Sequence, residues 1–330
     1  MKKSTDFSLV ALLLVMLFFP LRVNAMALRG DVNGDGEVSI GDVSEVINYL
    51  MRGYWSDGQS GPLIDLRGDV TFDGEVAIND VAELVNYLLR GTWTDEQSVI
   101  TRSFNVNGVE FTMVRVEGGS FMMGATDEQD ADAWEWEKPA HQVTLSSYCI
   151  AQTEVTQALW QAVMGYNPSF FVGNPLLPVE KVSWNDCQLF ITRLNDLTGQ
   201  HFRLPTEAEW EFAARGGRLT HGWKYAGGDD IDAVAWYVDN AEDATHPVAT
   251  MGANELGLYD MSGNVWEWCQ DVYGTYSDAP QVNPTGTTVG SYRVYRGGGW
   301  NGSARSCRVT YRFDRSPTAT YNNQGFRLAL

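Results

Sequence analysis

Cations are scarce in this chain: 23 lysines and arginines stand against 42 aspartates and glutamates, a formal charge of −19. Such acidity argues against nucleic acid or an anionic membrane as the main partner. Histidine is sparse as well. His141, His201, His221 and His246 show no metal-ligand spacing, which reads them as structural. No Gly-x-Ser-x-Gly elbow, phosphate-binding loop or dinucleotide fingerprint occurs, so the enzyme classes built on those motifs drop out. The four cysteines, Cys149, Cys187, Cys269 and Cys307, allow two disulfides in three connectivities, and the sequence does not choose among them.

Long apolar runs are missing too, apart from one at the start. Lys2 and Lys3 precede an apolar run from Leu9 to Phe19, followed by Pro20 and a small-residue site at Val23-Asn24-Ala25. That order is a secretory signal peptide over residues 1–25, too short for a membrane span, and it places the protein outside the cell or on its surface. The first cysteine is Cys149, which argues against a lipoprotein anchor. Removing Lys2, Lys3, Arg22 and Asp6 with the signal takes the charge from −19 to −21. About 305 remaining residues exceed one small core and imply at least two domains.

What is present begins with a repeat. Gly30-DVNGDGEVSIGDVSEVINYLMRG-Tyr54 is echoed 38 residues later by Gly68-DVTFDGEVAINDVAELVNYLLRG-Thr92. Acidic oxygens occupy loop positions 1, 5 and 12 in each copy: Asp31, Asp35 and Asp42, then Asp69, Asp73 and Asp80. Asn33 and Thr71 hold position 3, Gly36 and Gly74 make the turn, and Glu37 and Glu75 each offer a backbone carbonyl. Alternate oxygens around a glycine-bent loop suit a hard cation such as Ca²⁺. The second loop is weaker, because Ala77 offers no side-chain oxygen. With Asp rather than Glu at position 12, and helices expected over 43–51 and 81–89, residues 29–93 resemble a type I dockerin module. The resemblance implies calcium binding and docking onto a cohesin-like partner protein. A linker over 94–103 follows.

From Phe104 the composition changes. Residues 111–124 alternate and turn at glycines, which reads as strand pairing, and residues 141–150 read as another strand. Asp127 to Glu137 reads as an acidic, solvated loop, and the Glu207/Glu211 pair as a solvated helix face. Three helices are expected: 156–164; one capped by Ser183 with Asp186, running to Leu197 before Gly199; and one starting at Thr206 with Glu209, ending at Gly216-Gly217. Loops and short strands take up the remainder.

Several stretches in this region are specific. GGSFMMG (Gly118–Gly124), EVTQALWQAV (Glu154–Val163), PVEKVSWNDC (Pro178–Cys187), RLPTEAEWEFAARGG (Arg203–Gly217), NELGLYDMSGNVWEWCQD (Asn254–Asp271), RGGGW (Arg296–Trp300) and GFRLAL (Gly325–Leu330) occur in order. They resemble the formylglycine-generating enzyme, or sulfatase-modifying factor, family. The resemblance implies an α+β, C-type-lectin-like fold of low regular structure over 104–330, beside the small helical dockerin-like calcium module. It also implies a Ca²⁺ held by Asp260, the carbonyls of Gly263 and Val265, and Glu267. The family oxidises the cysteine of a Cys-x-Pro-x-Arg target in exported sulfatases, using O₂ and a copper ion held by two cysteines five residues apart. Here Cys307 falls on the second position, Gly302 on the first, and Gly299 on the serine of the preceding motif. One thiolate without its partner does not make a two-coordinate Cu(I) site. Copper and oxidase activity, with Cys307 as its one catalytic residue, remain the alternative. Otherwise Cys307 packs in the core or pairs, with Cys269 as the candidate partner.

The final segment decides between these readings. Seven arginines fall between Arg293 and Arg327 against one acid, Asp314, a reversal of the chain's overall charge. Interleaved aromatics and small polar residues give it the chemistry of a contact surface or of an active-site wall. It also resembles the variable region of diversity-generating retroelement target proteins, in which a fixed frame carries exchangeable, ligand-binding positions. The positions that match are Trp300, Asn301, Ser303, Ser306, Tyr311, Phe313, Asp314, Arg315, Tyr321, Asn322 and Asn323, with Gly302 and Gln324 beside them. The reading that follows is non-catalytic recognition of a protein or glycan ligand on this face. The other account of the segment is that its arginines pair with the acidic remainder of the domain.

Overall fold

The computed structural model describes residues 32, 39–52, 76, 78–90 and 100–330. The chain divides into two compact units at Thr92/Trp93, apart from residues 71–75. In the first, helices α1 (Ile40–Arg52) and α2 (Ile78–Arg90) pack on each other. Val43, Val46 and Leu84 are buried between them. Each helix carries an aspartate in its first turn, Asp42 and Asp80, where the helix dipole favours a negative charge.

The second unit is built from three small sheets. One has the order β1 (Thr101–Val106), β2 (Val109–Val116), β5 (Tyr148–Ala151). A second joins β3 (Gly119–Met123), β4 (His141–Leu145) and β7 (Gln281–Val282). The third runs β10 (Gln324–Gly325), β6 (Trp266–Val272), β8 (Arg293–Arg296), β9 (Arg312–Arg315). β1 begins inside the stretch assigned to the linker. The expected single strand over 141–150 divides into β4 and β5 at Ser146-Ser147, and the halves join different sheets.

Local signals place the helices. α3 (Gln157–Met164) is capped by Thr156, whose hydroxyl accepts from the Leu159 amide. Ser183 and Asp186 close a capping box on α4 (Trp184–Thr198), which stops at left-handed Gly199. Thr206 and Glu209 do the same for α5 (Glu207–Ala214). A short α6 (Ile231–Val234) follows. The helices are held between two cores. Trp160 stacks on Phe190 in one, with Phe326 edge-on to both and Trp268 and Phe202 beside them. Trp210, Phe212, Val143 and Val309 belong to the other. The chain's last residues close the domain: the Leu328 carbonyl accepts from the Ala151 amide, Leu330 exchanges backbone hydrogen bonds with Cys149, and Ala329 does so with Arg203. Among the described residues no helix is long and apolar enough to cross a membrane.

Candidate functional site

The arginines of the final segment divide into two groups. Arg296, Arg308, Arg312 and Arg327 are at most 2% exposed. Each meets a buried glutamate from an earlier part of the chain. Arg308 donates two hydrogen bonds to Glu137 (2.8 and 2.6 Å), Arg312 two to Glu207 (2.7 Å each), and Arg327 two to Glu267 (2.6 Å each). Arg296 donates to Glu211 and to the carbonyls of Thr310 and Tyr311, the latter two at 2.7 Å. Paired forks of this kind are charge-assisted and fix orientation as well as charge. Burial works to raise the Glu207 carboxyl, but Arg312 and Arg296 outweigh it and hold the group below its ordinary value. Two expectations are thereby corrected. The 127–137 stretch forms 3₁₀ turns in which Asp127, Glu128 and Glu135 are exposed as expected but Glu137 is fully buried, and Glu207/Glu211 line the core rather than a solvated face.

Arg293, Arg305 and Arg315 are spread over aromatic rings. Arg293 lies 3.9 Å from the Trp184 ring and Arg305 3.7 Å from Trp134, while exposed Arg315 borders Phe313, Tyr321 and Tyr295. The solvent-facing surface of the segment is therefore supplied by the residues between the buried arginines. Asn301, Ser303, Arg315 and Tyr321 are exposed; Trp300, Tyr311, Phe313, Asp314, Asn322 and Asn323 are half-buried. Asn323 donates to Asn301 (2.8 Å), and the Trp300 indole donates to the Asn322 carbonyl (3.0 Å). Trp266 and Tyr295 form the floor beneath Tyr311 and Phe313. Ser306 and Gln324 are different: both are buried, Ser306 donating to the Ser303 carbonyl and Gln324 accepting from the Tyr321 amide.

The positions that match the family's copper cysteines are Gly302 and Cys307. A side chain added at Gly302 would begin 2.6 Å from Ser306 Oγ. Cys307 is fully buried beneath Gly298, and burial pushes its thiol up to about 12. The four cysteines are free. Cys307 packs with Tyr225 and Tyr237, and Cys269 in the core around Trp210, so the pairing considered for them is not formed.

The expected calcium positions differ in outcome. Asp31, Asn33, Asp35, Glu37, Asp69, Thr71, Asp73 and Glu75 lie outside the described residues. Asp42 and Asp80 are fully buried. Asp42 accepts from the amides of Val32 and Ser39, both at 2.7 Å, so the twelfth residue of the loop reaches back to its second and ninth. That closure suits a cation loop. In the large domain Asp260, Gly263, Val265 and Glu267 share one buried region. There, however, Glu267 accepts from Arg327 and from the Trp210 indole (2.7 Å), and Asp260 accepts from the Ala249 amide (2.8 Å). Glu267 therefore has its charge matched by a guanidinium, and its donor set fits an ion poorly in this arrangement. Among the described residues no group of three or more acidic, histidine or cysteine side chains is disposed to hold a metal.

Two features beside this face were not legible as functional. Residues 166–172 carry exposed Tyr166, Phe170 and Val172. Buried Glu180 lies under them, its Oε1 accepting from the Phe171 amide at 2.7 Å. The available signal was Asn167-Pro168-Ser-Phe-Phe-Val-Gly-Asn174-Pro175, aromatics within a turn-forming frame.

Comparison with known proteins agrees with this architecture. The model of the sulfatase-modifying factor enzyme 1-like domain matches residues 102–330, and that of the dockerin type I domain matches residues 29–89. The solved Treponema denticola variable protein 1 is similar at 34% identity and a TM-score of 0.64, covering 70% of this chain and 99% of that one. Chaperone protein LppX of Paenibacillus barcinonensis is 31% identical over 269 residues, 66% of this chain and 88% of its own. The formylglycine-generating enzyme of Streptomyces coelicolor is 38% identical over 194 residues, 53% of this chain and 59% of that enzyme.

Proposed function

This chain belongs to the family of the sulfatase-modifying factor enzyme 1-like domain, and from that premise we propose that it is a recognition protein without oxidase chemistry. Its ligand-binding face comprises Trp300, Asn301, Ser303, Tyr311, Phe313, Asp314, Arg315, Tyr321, Asn322 and Asn323. The observation that carries this reading is a glycine, Gly302, at one of the two positions where the family's copper chemistry needs a cysteine, with the other, Cys307, fully buried. The buried Arg–Glu pairs hold the segment from within, so the exposed residues between them can differ without loss of the frame. Tyr, Trp, Ser and Asn on such a support give contact area at small entropic cost. The likeness to a protein named as variable supports exchange at these positions.

The N-terminal module tethers this domain to a partner in an extracellular assembly, with Ca²⁺ ordering its loops. Exposed Ile40, Met51 and Ile78 at the helix ends supply apolar contact area for such docking. The calcium requirement falls on this module, because Glu267 is already neutralised by Arg327.

Exchange tests the face. Joint replacement of Asn301, Ser303, Arg315 and Tyr321 by alanine is expected to leave the melting temperature within about 2 °C, since surface changes away from buried features are small. Unfolding of that variant would overturn the frame-and-face reading. In the surrounding DNA, a near-copy of the final coding segment beside a reverse transcriptase supports exchange, and the absence of both removes the retroelement part.

A further inference from the structure

Glu180 is fully buried, and its Oε2 has no hydrogen-bond partner, whereas its Oε1 accepts from the Phe171 amide. An unpaired buried carboxylate oxygen is costly and needs a reason. Its surroundings suggest one. The carboxylate lies beneath a loop whose Phe171 ring meets Phe170 (centroids 5.0 Å apart) and Trp300 (5.3 Å), both edge to face. Trp300 is tied to Asn322, and the residue after Glu180, Lys181, donates its amide to the Tyr321 carbonyl (3.1 Å). Phe170 and Tyr321 are 61% and 53% exposed, large aromatic surfaces left in water.

The loop is held in place from below. Gln157 of α3 donates to the carbonyls of Phe171 (2.8 Å) and Pro178 (3.1 Å) and accepts from Asn167 (2.8 Å). Ser169 accepts from the Glu180 amide (3.2 Å). The rings and the acid are therefore pre-organised relative to each other, which lowers the cost of binding.

Building on the recognition reading, we propose that the patch formed by Phe170, Phe171, Trp300 and Tyr321 over Glu180 receives the guanidinium or ammonium of a basic side chain on a protein ligand. Aromatic faces attract a cation, and a desolvated carboxylate beneath them completes its hydrogen bonds. Burial pushes the Glu180 carboxyl up to about 7, with the Phe171 and Phe170 amides and Lys181 opposing, so at pH 8 most of the group carries a charge that a cation can match.

The test uses the full chain with calcium at pH 8 and three probes: an acetylated, amidated Gly-Arg-Gly peptide, its citrulline counterpart, and a deacetylated chitosan oligosaccharide. Calorimetry is expected to show the arginine peptide binding at least about 10-fold more tightly than the citrulline peptide. Glu180→Gln should abolish that difference, and Phe170→Ala, at an exposed position, should weaken arginine binding several-fold with the melt unchanged. Equal binding of arginine and citrulline peptides, or an unaltered preference in Glu180→Gln, overturns the proposal. Glu180-dependent binding of the oligosaccharide alone also overturns it, in favour of an amino-sugar ligand. Conversion of a Cys-x-Pro-x-Arg peptide, read separately, would sink the recognition reading itself, so the two failures are distinct.

Discussion

Glu207 and Arg312 meet through two hydrogen bonds of 2.7 Å although 105 positions separate them in the chain. Arg312 also lies 4.0 Å from the Tyr276 ring, and Glu207 accepts from the Tyr276 hydroxyl (3.1 Å). Removing one member leaves the other charged and buried. Arg312→Met is expected to lower stability by about 3–5 kcal/mol, and Glu207→Gln by a similar amount. The double variant should lose less than the sum, and a double-mutant cycle from urea denaturation measures that difference. Additive losses would show that the pair does not act as a unit.

Glycine at 302 makes room for Ser306. Gly302→Ala is expected to cost about 1–2 kcal/mol, because its methyl would start 2.6 Å from Ser306 Oγ and 3.1 Å from the Gly299 carbonyl. Adding Ser306→Ala should recover part of that loss. Equal urea midpoints for wild type and Gly302→Ala would contradict the packing described.

How much of this was readable beforehand depended on distance along the chain. The caps at Ser183 and Thr206 depend on residues three positions away, so a local pattern exposes them. The partners of the arginines do not. Glu137 lies 171 positions from Arg308, and Glu207 and Glu211 share a helix whose spacing looks the same whether that side faces water or core. The excess of arginine near the end was a visible signal, but nothing local told which acids it matched. The break between β4 and β5 did leave a local trace: the apolar alternation of Val143 and Leu145 shifts phase at Ser146-Ser147 to Tyr148 and Ile150, and the strands enter different sheets. The repeat at the N-terminus was legible because it occurs twice.

Two buried acids should make stability fall with rising pH. Burial pushes Glu180 and Asp271 each up to about 7; for Asp271, Glu207 and Glu209 add to the effect, while the Glu207 amide and Arg312 oppose it. Below the ordinary carboxylate range both folded and unfolded chains hold these protons, so neither group changes stability there. From that range up to about 7 only the folded state holds them, and their contribution is lost as pH rises through the window. At pH 8, Glu180→Gln should be more stable than wild type by on the order of 2 kcal/mol, and at pH 4 nearly equal to it. Melts across that range would refute the assignment if the variant's advantage did not grow with pH.

Calcium removal should act on the N-terminal module alone. Chelator, Asp42→Ala or Asp80→Ala is expected to reduce helical signal and abolish the module's transition, a loss of about 3–4 kcal/mol at calcium well above Kd. The transition of the large domain should stay in place. A calcium-dependent shift of that second transition would instead assign an ion to the region of Asp260.

The absence of oxidase chemistry is the claim on which the account turns, and mass spectrometry of a target peptide tests it most directly. Copper-loaded protein is incubated under air, with reductant, with a peptide containing Cys-x-Pro-x-Arg. The account predicts recovery of the peptide with its cysteine intact, from protein whose melt shows it folded. Conversion of that cysteine to the aldehyde, dependent on Cys307, would contradict it.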